Sequence, residues 1–163
     1  MDNLEIRYTE PNDLQYLTTW MKDKDILKWF PFSNDKETEM SLKNWIGFSK
    51  YRSSLTSLIN DEVVSIGTIF LMPYKKISHL GMFYLVVKKE HQKKGIGSEM
   101  LKNLLHLSKN YFKLESLFVE VYEECPIILV LKKFNFEEAF SQKRYVKEEN
   151  KYLARKLFNI WFT

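Results

Sequence analysis

A short apolar run, a basic turn, two glycines and an amphipathic stretch follow one another between residues 85 and 112, and this order limits the fold strongly. Leu85–Val87 is typical of the end of a buried strand, and after Gly97 the apolar side chains recur with the 3.6-residue period of a helix. Glycines permit backbone conformations closed to other residues, and free N–H groups at a helix start converge on anions such as phosphate. The segment therefore predicts a strand–turn–helix unit that holds an anionic ligand at the start of the helix.

The remaining patterns predict an α/β fold in which helices flank a mixed, mostly antiparallel sheet. Short connections join the predicted strands at 54–60, 63–72 and 80–88 into an antiparallel meander. A helix separates the last of these from a strand at 117–122, and a connection of that length allows parallel neighbours. The other predicted elements are a first strand at 4–8, a helix from 14 capped by Asn12 or Asp13, a helix at 36–50, a short helix from Pro126, and one or two strands within 142–162.

One domain across residues 1–163 is expected, because no linker, repeat or low-complexity stretch divides the sequence. The 45% hydrophobic and 28% charged residues are typical of a folded globular protein rather than a disordered one. No apolar run approaches the ~20 residues of a membrane helix, so we expect no membrane partner. A single cysteine, Cys125, and an opening without a basic-then-apolar leader favour the cytoplasm.

Two other phosphate-binding motifs do not fit the glycine turn. A P-loop needs Gly-x-x-x-x-Gly-Lys-Ser/Thr, which the sequence lacks. A dinucleotide fingerprint needs Gly or Ala where Met100 stands, and it should open a repeated βαβ fold rather than follow a meander.

The segment Gln92-Lys93-Lys94-Gly95-Ile96-Gly97 resembles the Gln/Arg-x-x-Gly-x-Gly/Ala signature of the GNAT superfamily of acyl-CoA-dependent N-acyltransferases. The order of predicted elements from about 4 to 158 is similar to that of the whole family fold. The resemblance implies a GNAT-like single domain whose central sheet splays open between strands four and five, with acetyl-CoA as cosubstrate in the cleft. It also implies an enzyme that transfers an acetyl group to a primary amine by direct attack in a ternary complex.

The resemblance further implies an acetyl-CoA site along the end of strand four and the turn after it. The pyrophosphate would rest on the amides from Gln92 to Ser98, and the pantetheine arm would pair with the main chain around Leu85 and Val87. An amide there would stabilise the tetrahedral oxyanion. The cofactor-binding residues so implied are Leu85, Val86, Val87, Gln92, Lys93, Lys94, Gly95, Ile96, Gly97, Ser98 and Glu124.

Two residues depart from the downstream family pattern. Glu124 stands where an Asn often contacts pantetheine, and Leu131 stands where a Tyr often protonates the departing thiolate. A thiol has an ordinary pKa of about 8.5, so solvent can protonate its thiolate without a tyrosine. Tyr122 or Tyr145 is a substitute donor, and Tyr122 is the candidate catalytic residue.

Attack by an amine also requires a base, because a lysine-like acceptor of pKa about 10.4 is mostly protonated near neutral pH. Family bases are usually carboxylates near the middle strands. Glu120 is the first candidate base, because it shares one strand face with Phe118 and Tyr122. The other candidates are Glu123, Glu124 and His79.

Trp29, Phe30 and Phe32 form an aromatic segment that Pro31 prevents from being helical throughout. The resemblance implies that this segment lines the acceptor pocket, with core packing as an equal alternative. We expect an acceptor that is an amine-bearing small molecule or peptide. The apolar end at 160–162 is compatible with a monomer or a homodimer.

Lys88, Lys89, Lys93 and Lys94 concentrate positive charge at the turn, which makes a nucleic-acid-binding domain one alternative function. Four of the 25 basic residues are Arg, the side chain preferred for reading bases, so we expect no nucleic-acid partner.

A CoA-binding regulatory module without catalysis is a second alternative, favoured by Leu131 and Glu124. We expect no metal, because His79, His91 and His106 lack the spacing of metal ligands.

Overall fold

This computed structural model describes residues 3–162, which contain seven strands and five α-helices. The strands are β1 Leu4–Tyr8, β2 Ser54–Ile59, β3 Glu62–Leu71, β4 Leu80–Val87, β5 Ser116–Tyr122, β6 Glu137–Glu148 and β7 Lys151–Trp161. The helices are α1 Leu14–Trp20, α2 Lys24–Leu27, α3 Asp35–Gly47, α4 Ile96–His106 and α5 Ile127–Lys133. Within the described residues, no helix is long and apolar enough to cross a membrane. The predicted domain bounds, 1–163, include residues 1, 2 and 163, which lie outside the described part, and these bounds stay a prediction.

The strands form one mixed sheet in the order β1-β2-β3-β4-β5-β7-β6. Neighbouring strands are antiparallel except β4 and β5, which α4 connects in the parallel sense. The parallel pairing runs over three residue pairs, from Leu80–Ser116 to Met82–Phe118, and the two strands then separate. The predicted α/β sheet, splayed between its fourth and fifth strands and flanked by helices, is confirmed.

Two apolar cores cover the two faces of the sheet. On one face, α4 packs fully buried Met100 and Leu104 in the same core as Phe83 of β4. On the other face, buried Leu17 of α1 and Trp45 of α3 belong to the second core. Because the buried residues of α4 recur at the helical period, the helix lies along the sheet and its start is held beside the end of β4.

Asp13 is buried and does not cap α1, so that prediction is wrong. Its carboxylate accepts hydrogen bonds from Arg7 Nη1 at 2.7 Å and Nη2 at 2.9 Å, and also from Thr56 Oγ1 at 3.0 Å. The Glu10 amide donates a fourth bond, at 2.9 Å. Burial alone would raise the pKa of Asp13, but these bonds outweigh burial and hold the pKa below its ordinary value. A buried carboxylate needs several donors, and Arg7 supplies two of the four that bond Asp13.

Two predicted boundaries shift. The second long helix covers Asp35–Gly47 instead of 36–50, because Asn34 caps it through a 2.9 Å bond from the Glu37 amide and the chain tightens into a 3₁₀ turn after Gly47. The sixth strand begins at Glu137 instead of within 142–162. It is an edge strand exposed along almost its whole length, so its sequence carries no alternation that would mark its start.

Candidate functional site

A cleft opens where β4 and β5 separate. Its walls come from the end of β4, the middle of β5 and the segment around α2. The lining residues are Ile26, Trp29, Phe30, Tyr84, Leu85, Val86, Val87, Gln92, Val119, Glu120, Val121, Cys125 and Ile127. The fold thus brings together the predicted residues at 85–87, Gln92, Glu120, Trp29 and Phe30.

The main chain of β4 faces the cleft beyond Met82. Pairing with β3 continues as far as Val87, whereas pairing with β5 ends at Met82. Peptide groups of residues 83–87 that point toward β5 therefore lack a strand partner. An extended ligand can hydrogen-bond there as an added strand.

The start of α4 offers free amides beside this strand end. Lys93 and Gly95 adopt left-handed backbone, with φ of 59° and 86°, which turns the chain into the helix. The Glu99 amide bonds the Gly95 carbonyl at 3.0 Å and is the first hydrogen bond inside the helix. The amides of residues 96–98 precede it, so they are directed out of the helix start, where the helix dipole favours an anion.

Gly97 has a helical backbone, so of the two glycines Gly95 is the one that uses a conformation closed to most other residues. A Cβ at Gly97 would lie 3.7 Å from Val87 Cγ2 and 3.9 Å from Leu85 Cδ2, which are ordinary contact distances. The protein itself therefore has room for a side chain at Gly97. Its absence leaves the surface between α4 and β4 open to a ligand.

The Gln92 side chain ties the turn to β4. Its Nε2 donates a hydrogen bond to the Val87 carbonyl at 3.0 Å. The bond holds the turn against the last residue of β4, beside the peptide groups that face the cleft.

Glu120 faces the cleft from β5 and is paired with Arg155 of β7. Arg155 Nη1 donates to Glu120 Oε1 at 3.0 Å, and Nη2 donates to Gln142 Oε1 at 2.8 Å. Of the four candidate bases, Glu120 is the one found on the cleft wall within the described residues. Glu120 is therefore the candidate base that a molecule in the cleft can contact.

Tyr122 lies on the same face of β5 as Glu120, as predicted, with Leu117 and Val121 in the core on the opposite face. Tyr122 is buried and does not line the cleft, whereas Tyr84 of β4 does. Burial raises the pKa of each of these tyrosines to about 12, and the charge of Glu120 adds to the rise. Both hydroxyls therefore keep their protons near neutral pH.

Aromatic rings form the wall of the cleft nearest α3. The Phe30 ring centroid lies 5.6 Å from that of Tyr84 and 5.8 Å from that of Trp45. Phe32 stacks on Phe30 at 5.7 Å and does not itself line the cleft. Phe30 thus lines the cleft and also packs against the core, and its place in an acceptor pocket stays a prediction.

The family model described as Acetyltransferase (GNAT) domain matches residues 3–126, which is most of the chain. The chain belongs to the GNAT acetyltransferase family. A curated GNAT relative, the L-amino acid N-acetyltransferase AaaT of Escherichia coli strain K12, is 24% identical over 100 residues. That match covers 61% of this chain and 62% of the relative, so it spans less than two thirds of the relative's length.

Solved GNAT structures share the fold over nearly the whole chain. The yncA protein of Salmonella typhimurium, solved with acetyl-CoA, has a TM-score of 0.83 at 14% identity and covers 99% of this chain and 95% of that one. A GNAT-family acetyltransferase of Streptococcus pneumoniae has a TM-score of 0.78 at 21% identity, with coverage of 98% and 99%. At these identities the likeness shows the fold.

Acetyl-CoA is the cosubstrate of the GNAT family, and the residues of this GNAT domain fit it. The unpaired main chain of residues 83–87 suits an extended pantetheine arm. The amides at the start of α4 suit a pyrophosphate, and the open surface at Gly97 gives a ligand access to both.

Fewer lysines of this GNAT loop are available to phosphate than the sequence predicts. Two of the four are already paired with carboxylates, in the contacts Lys88–Glu62, Lys89–Asp25 at 2.7 Å and Lys89–Asp23 at 3.3 Å. Lys93 and Lys94 form no ion pair with another described residue. Lys93 and Lys94 are therefore the two lysines of this turn whose ammonium groups remain available to an anionic ligand.

Three further positions of the GNAT pattern contribute no side chain to the cleft. The Ile96 side chain is buried, so its amide alone can reach a ligand. Glu124 has a left-handed backbone with φ of 70° in the turn before α5, and it is not among the cleft-lining residues of the described part. Leu131 is fully buried, so no hydroxyl stands where the GNAT pattern often has a tyrosine.

Sequence patterns do not identify Tyr84, Trp45 or Arg155 as site residues of this GNAT domain. Tyr84 belongs to an apolar strand and Trp45 to an apolar helix stripe, where the pattern indicates burial alone. Arg155 reaches the site through the pairing of β5 with β7, which places it opposite Tyr122. That pairing between distant strands is the signal that would have been needed.

No group of three or more His, Cys, Asp or Glu side chains among residues 3–162 is placed to hold a metal ion. The expectation of no metal stays a prediction.

Proposed function

We propose that this GNAT domain transfers the acetyl group of acetyl-CoA to a primary amine by direct attack in a ternary complex. The observation that carries the proposal is the position of Glu120 on the wall of the cleft that the unpaired main chain of β4 faces. Direct transfer needs a base and an acyl-donor site beside one another.

The main chain holds the donor in this proposal. Residues 85–87 bind the pantetheine arm, and the loop 92–98 binds the pyrophosphate through its amides. Lys93 and Lys94 add long-range attraction, and Glu124 stands beside the pantetheine. An amide of β4 stabilises the oxyanion that forms on the acetyl carbonyl.

Glu120 takes a proton from the acceptor amine. Arg155 engages Oε1, and Oε2 has no hydrogen bond to another described residue, so Oε2 is the atom assigned to the proton. The neutral amine nitrogen then adds to the acetyl carbon, which gives the tetrahedral oxyanion. As the oxyanion collapses, the carbon–sulfur bond breaks, the sulfur leaves as a thiolate and the nitrogen releases its second proton to solvent. Solvent protonates the thiolate, whose conjugate thiol has an ordinary pKa of about 8.5.

Tyr122 stays the candidate for direct proton transfer to the thiolate in place of a tyrosine at Leu131. Tyr122 is buried and does not line the cleft, so we assign the proton of the thiolate to solvent that enters the cleft.

The acceptor is an amine-bearing small molecule or peptide, and the L-amino acid named for the Escherichia coli relative is one member of this class. Trp29 and Phe30 line the acceptor side of the cleft, with Phe32 behind them. We place the protein in the cytoplasm, because its Cys125 is free. The apolar end at 160–162 is compatible with a monomer or a homodimer.

Glu120→Gln tests the proposal. We expect kcat/KM for an accepted amine to fall roughly tenfold or more across about pH 6–9, because the amide accepts no proton. The Kd for acetyl-CoA, measured by calorimetry, should not change. Glu115→Gln makes the same substitution at an exposed residue just before β5 and should keep full activity. Equal turnover of Glu120→Gln and wild type would remove Glu120 from the reaction.

A CoA-binding regulatory module is the second candidate function, because Leu131 and Glu124 replace two groups that family enzymes often use. At a hundred times Kd, acetyl-CoA should stabilise the fold by about 2.7 kcal/mol and raise Tm by roughly 5–10 °C, with NADH and ATP as controls. That stabilisation without CoA release on a broad amine panel would establish the module. A Tm that acetyl-CoA does not change would contradict both candidates.

A further inference from the structure

The cleft between β4 and β5 presents a group of aromatic rings to any molecule that enters it. Trp29, Phe30 and Tyr84 line the cleft together. The ring centroids of Phe30 and Tyr84 lie 5.6 Å apart in an edge-to-face arrangement. Ile26 of α2 adds an aliphatic side chain to the lining and belongs to the core against which Phe30 packs. This part of the cleft therefore offers apolar surface to a ligand.

The cleft lining carries one charge, and that charge is negative. Among the described residues that line the cleft, Glu120 is the one that is ionised at neutral pH. Burial raises the pKa of Tyr84 to about 12 and also raises the pKa of the Cys125 thiol, so both of these lining groups stay neutral. No Lys, Arg or His of residues 3–162 is part of the lining. A carboxylate in the cleft would find the neutral Tyr84 hydroxyl as a donor but no cation.

Two cations that contact lining residues are already engaged. Lys28 Nζ lies 5.0 Å from the Trp29 ring centroid and 3.8 Å from Asp25 Oδ1. Arg155 is not part of the lining and donates to Glu120 at 3.0 Å. A carboxylate that leaves water without gaining a cation or several donors loses free energy. The cleft is thus unfavourable for an acceptor that carries a carboxylate beside its amine.

Tyr84 and Glu120 lie on opposite sides of the gap where the strands separate, because one belongs to β4 and the other to β5. The charge of Glu120 contributes to the raised pKa of Tyr84, as expected for side chains that are close in space. A molecule whose amine contacts Glu120 therefore has its remaining atoms beside the aromatic rings.

We propose that the acceptor is a hydrophobic primary amine, with an aromatic or branched aliphatic group near the nitrogen and no carboxylate beside it. This inference rests on the proposed function, in which Glu120 takes a proton from the acceptor amine. The apolar group packs on Trp29, Phe30 and Tyr84, and its burial stabilises the complex. The rings also attract the ammonium form in which such an amine arrives. Trp29 and Phe30 are therefore residues that determine acceptor specificity.

Matched acceptors test the inference. Wild-type protein is assayed with acetyl-CoA and with phenethylamine, phenylalanine, phenylalaninamide and ethylamine. Rates are expressed per neutral amine, because the acceptors differ in amine pKa. We expect kcat/KM for phenethylamine to exceed that for phenylalanine and that for ethylamine by roughly tenfold or more each. Phenylalaninamide, which has the size of phenylalanine without the negative charge, should be acetylated faster than phenylalanine.

Two outcomes of this assay would overturn the inference. Equal values for phenethylamine and phenylalanine, or a preference for phenylalanine, would show that the cleft accepts a carboxylate. Equal values for phenethylamine and ethylamine would show that the aromatic rings do not bind the acceptor.

Variants of Trp29 separate the apolar contribution from the effect of charge. Among the described residues, Trp29 lines the cleft without belonging to either apolar core, so its replacement should leave the fold intact. Trp29→Ala should raise KM for phenethylamine by roughly fivefold or more and change KM for ethylamine little. Trp29→Arg brings a cation to the wall and should shift the preference toward phenylalanine.

Trp161→Ala is the matched control, because it removes an exposed tryptophan that does not line the cleft. It should keep the wild-type ratio of kcat/KM for phenethylamine to that for ethylamine. Unchanged ratios in both Trp29 variants would overturn the inference.

A binding measurement separates this inference from the proposed function. Calorimetry in the presence of CoA compares phenethylamine with phenylalanine and needs no turnover. Tighter binding of phenethylamine that Trp29→Ala weakens would support the inference even if no amine is acetylated. Equal binding of the two ligands, or tighter binding of phenylalanine, would overturn it. The absence of CoA release on every amine would count against the proposed function alone.

Discussion

Lys89 Nζ lies 2.7 Å from Asp25 Oδ2, and this contact joins the turn after β4 to α2. Asp23 lies 3.3 Å from the same ammonium group. The segment on one side of the contact contributes Ile26 to the cleft wall, and the turn on the other side leads into the start of α4. A surface ion pair therefore connects the turn before α4 with the α2 segment that lines the cleft.

Replacing both Lys93 and Lys94 by Met should raise the Kd for acetyl-CoA by roughly tenfold at low salt, because their ammonium groups are available to phosphate. Lys89→Met should raise that Kd by less, since Asp25 and Asp23 already hold its ammonium group. Calorimetry at low and high salt checks both expectations, and the effect of the double variant should shrink as salt screens the charges. An equal rise in Kd for Lys89→Met would place Lys89 on the phosphate.

Gly97→Ala should fold with full stability and bind acetyl-CoA more weakly. Its Cβ would meet Val87 and Leu85 at ordinary contact distances, and Ala favours a helix over Gly by up to about 1 kcal/mol. Gly95→Ala should instead lose about 1 kcal/mol or more, because Ala is disfavoured at a φ of 86°. Urea unfolding with and without acetyl-CoA measures both quantities. Unweakened acetyl-CoA binding by a stable Gly97→Ala would contradict the assigned path of the ligand.

Asp13→Asn should lower the free energy of unfolding by about 2 kcal/mol at neutral pH, because the charged acceptor of the Arg7 bonds is lost. The folded pKa of Asp13 is lowered, so its stabilisation is complete above the unfolded pKa of about 3.9 and disappears as the pH falls through the folded value. The difference between wild type and variant should therefore narrow below about pH 4 in urea titrations. Asp61→Asn, the same change in an exposed left-handed turn, is the control. A difference that stays constant into acid would show that Asp13 is not stabilised by its charge.

Leu131→Tyr and Leu131→Phe should each cost about 1–3 kcal/mol of stability, because Leu131 is fully buried and both rings overfill its site. The tyrosine also brings a hydroxyl to the position where family members often have one. We therefore expect a higher kcat for Leu131→Tyr than for Leu131→Phe in steady-state assays. Equal values would show that protonation of the thiolate does not limit the rate.

Local patterns account for the elements around the donor site. The end of β4, the turn and α4 lie where alternation, glycines and the helical period place them, because each depends on residues close in sequence. The separation of β4 from β5 involves two strands that a whole helix divides in sequence. Periodicity does not predict this separation, which was expected from the resemblance to a family.

Contacts between residues distant in sequence determine the features that the sequence did not predict. Arg155 meets Glu120 across 35 positions of sequence, through the pairing of β5 with β7. Asp13 directly precedes a helix, which is the sequence pattern of an N-cap, yet its carboxylate is buried and bonded to Arg7 of β1. The partner of a buried charge is set by tertiary structure, which no local pattern reports.

Three residue pairs are all that join β4 to β5, so the sheet consists of two half-sheets connected by a short junction. An extended acyl donor bound along residues 83–87 lengthens that junction and restrains the two halves relative to each other. Glu120 belongs to one half and Tyr84 to the other, so the geometry of the amine pocket depends on the donor being in place. For the proposed transfer we therefore expect a compulsory binding order, with the donor first and the amine second.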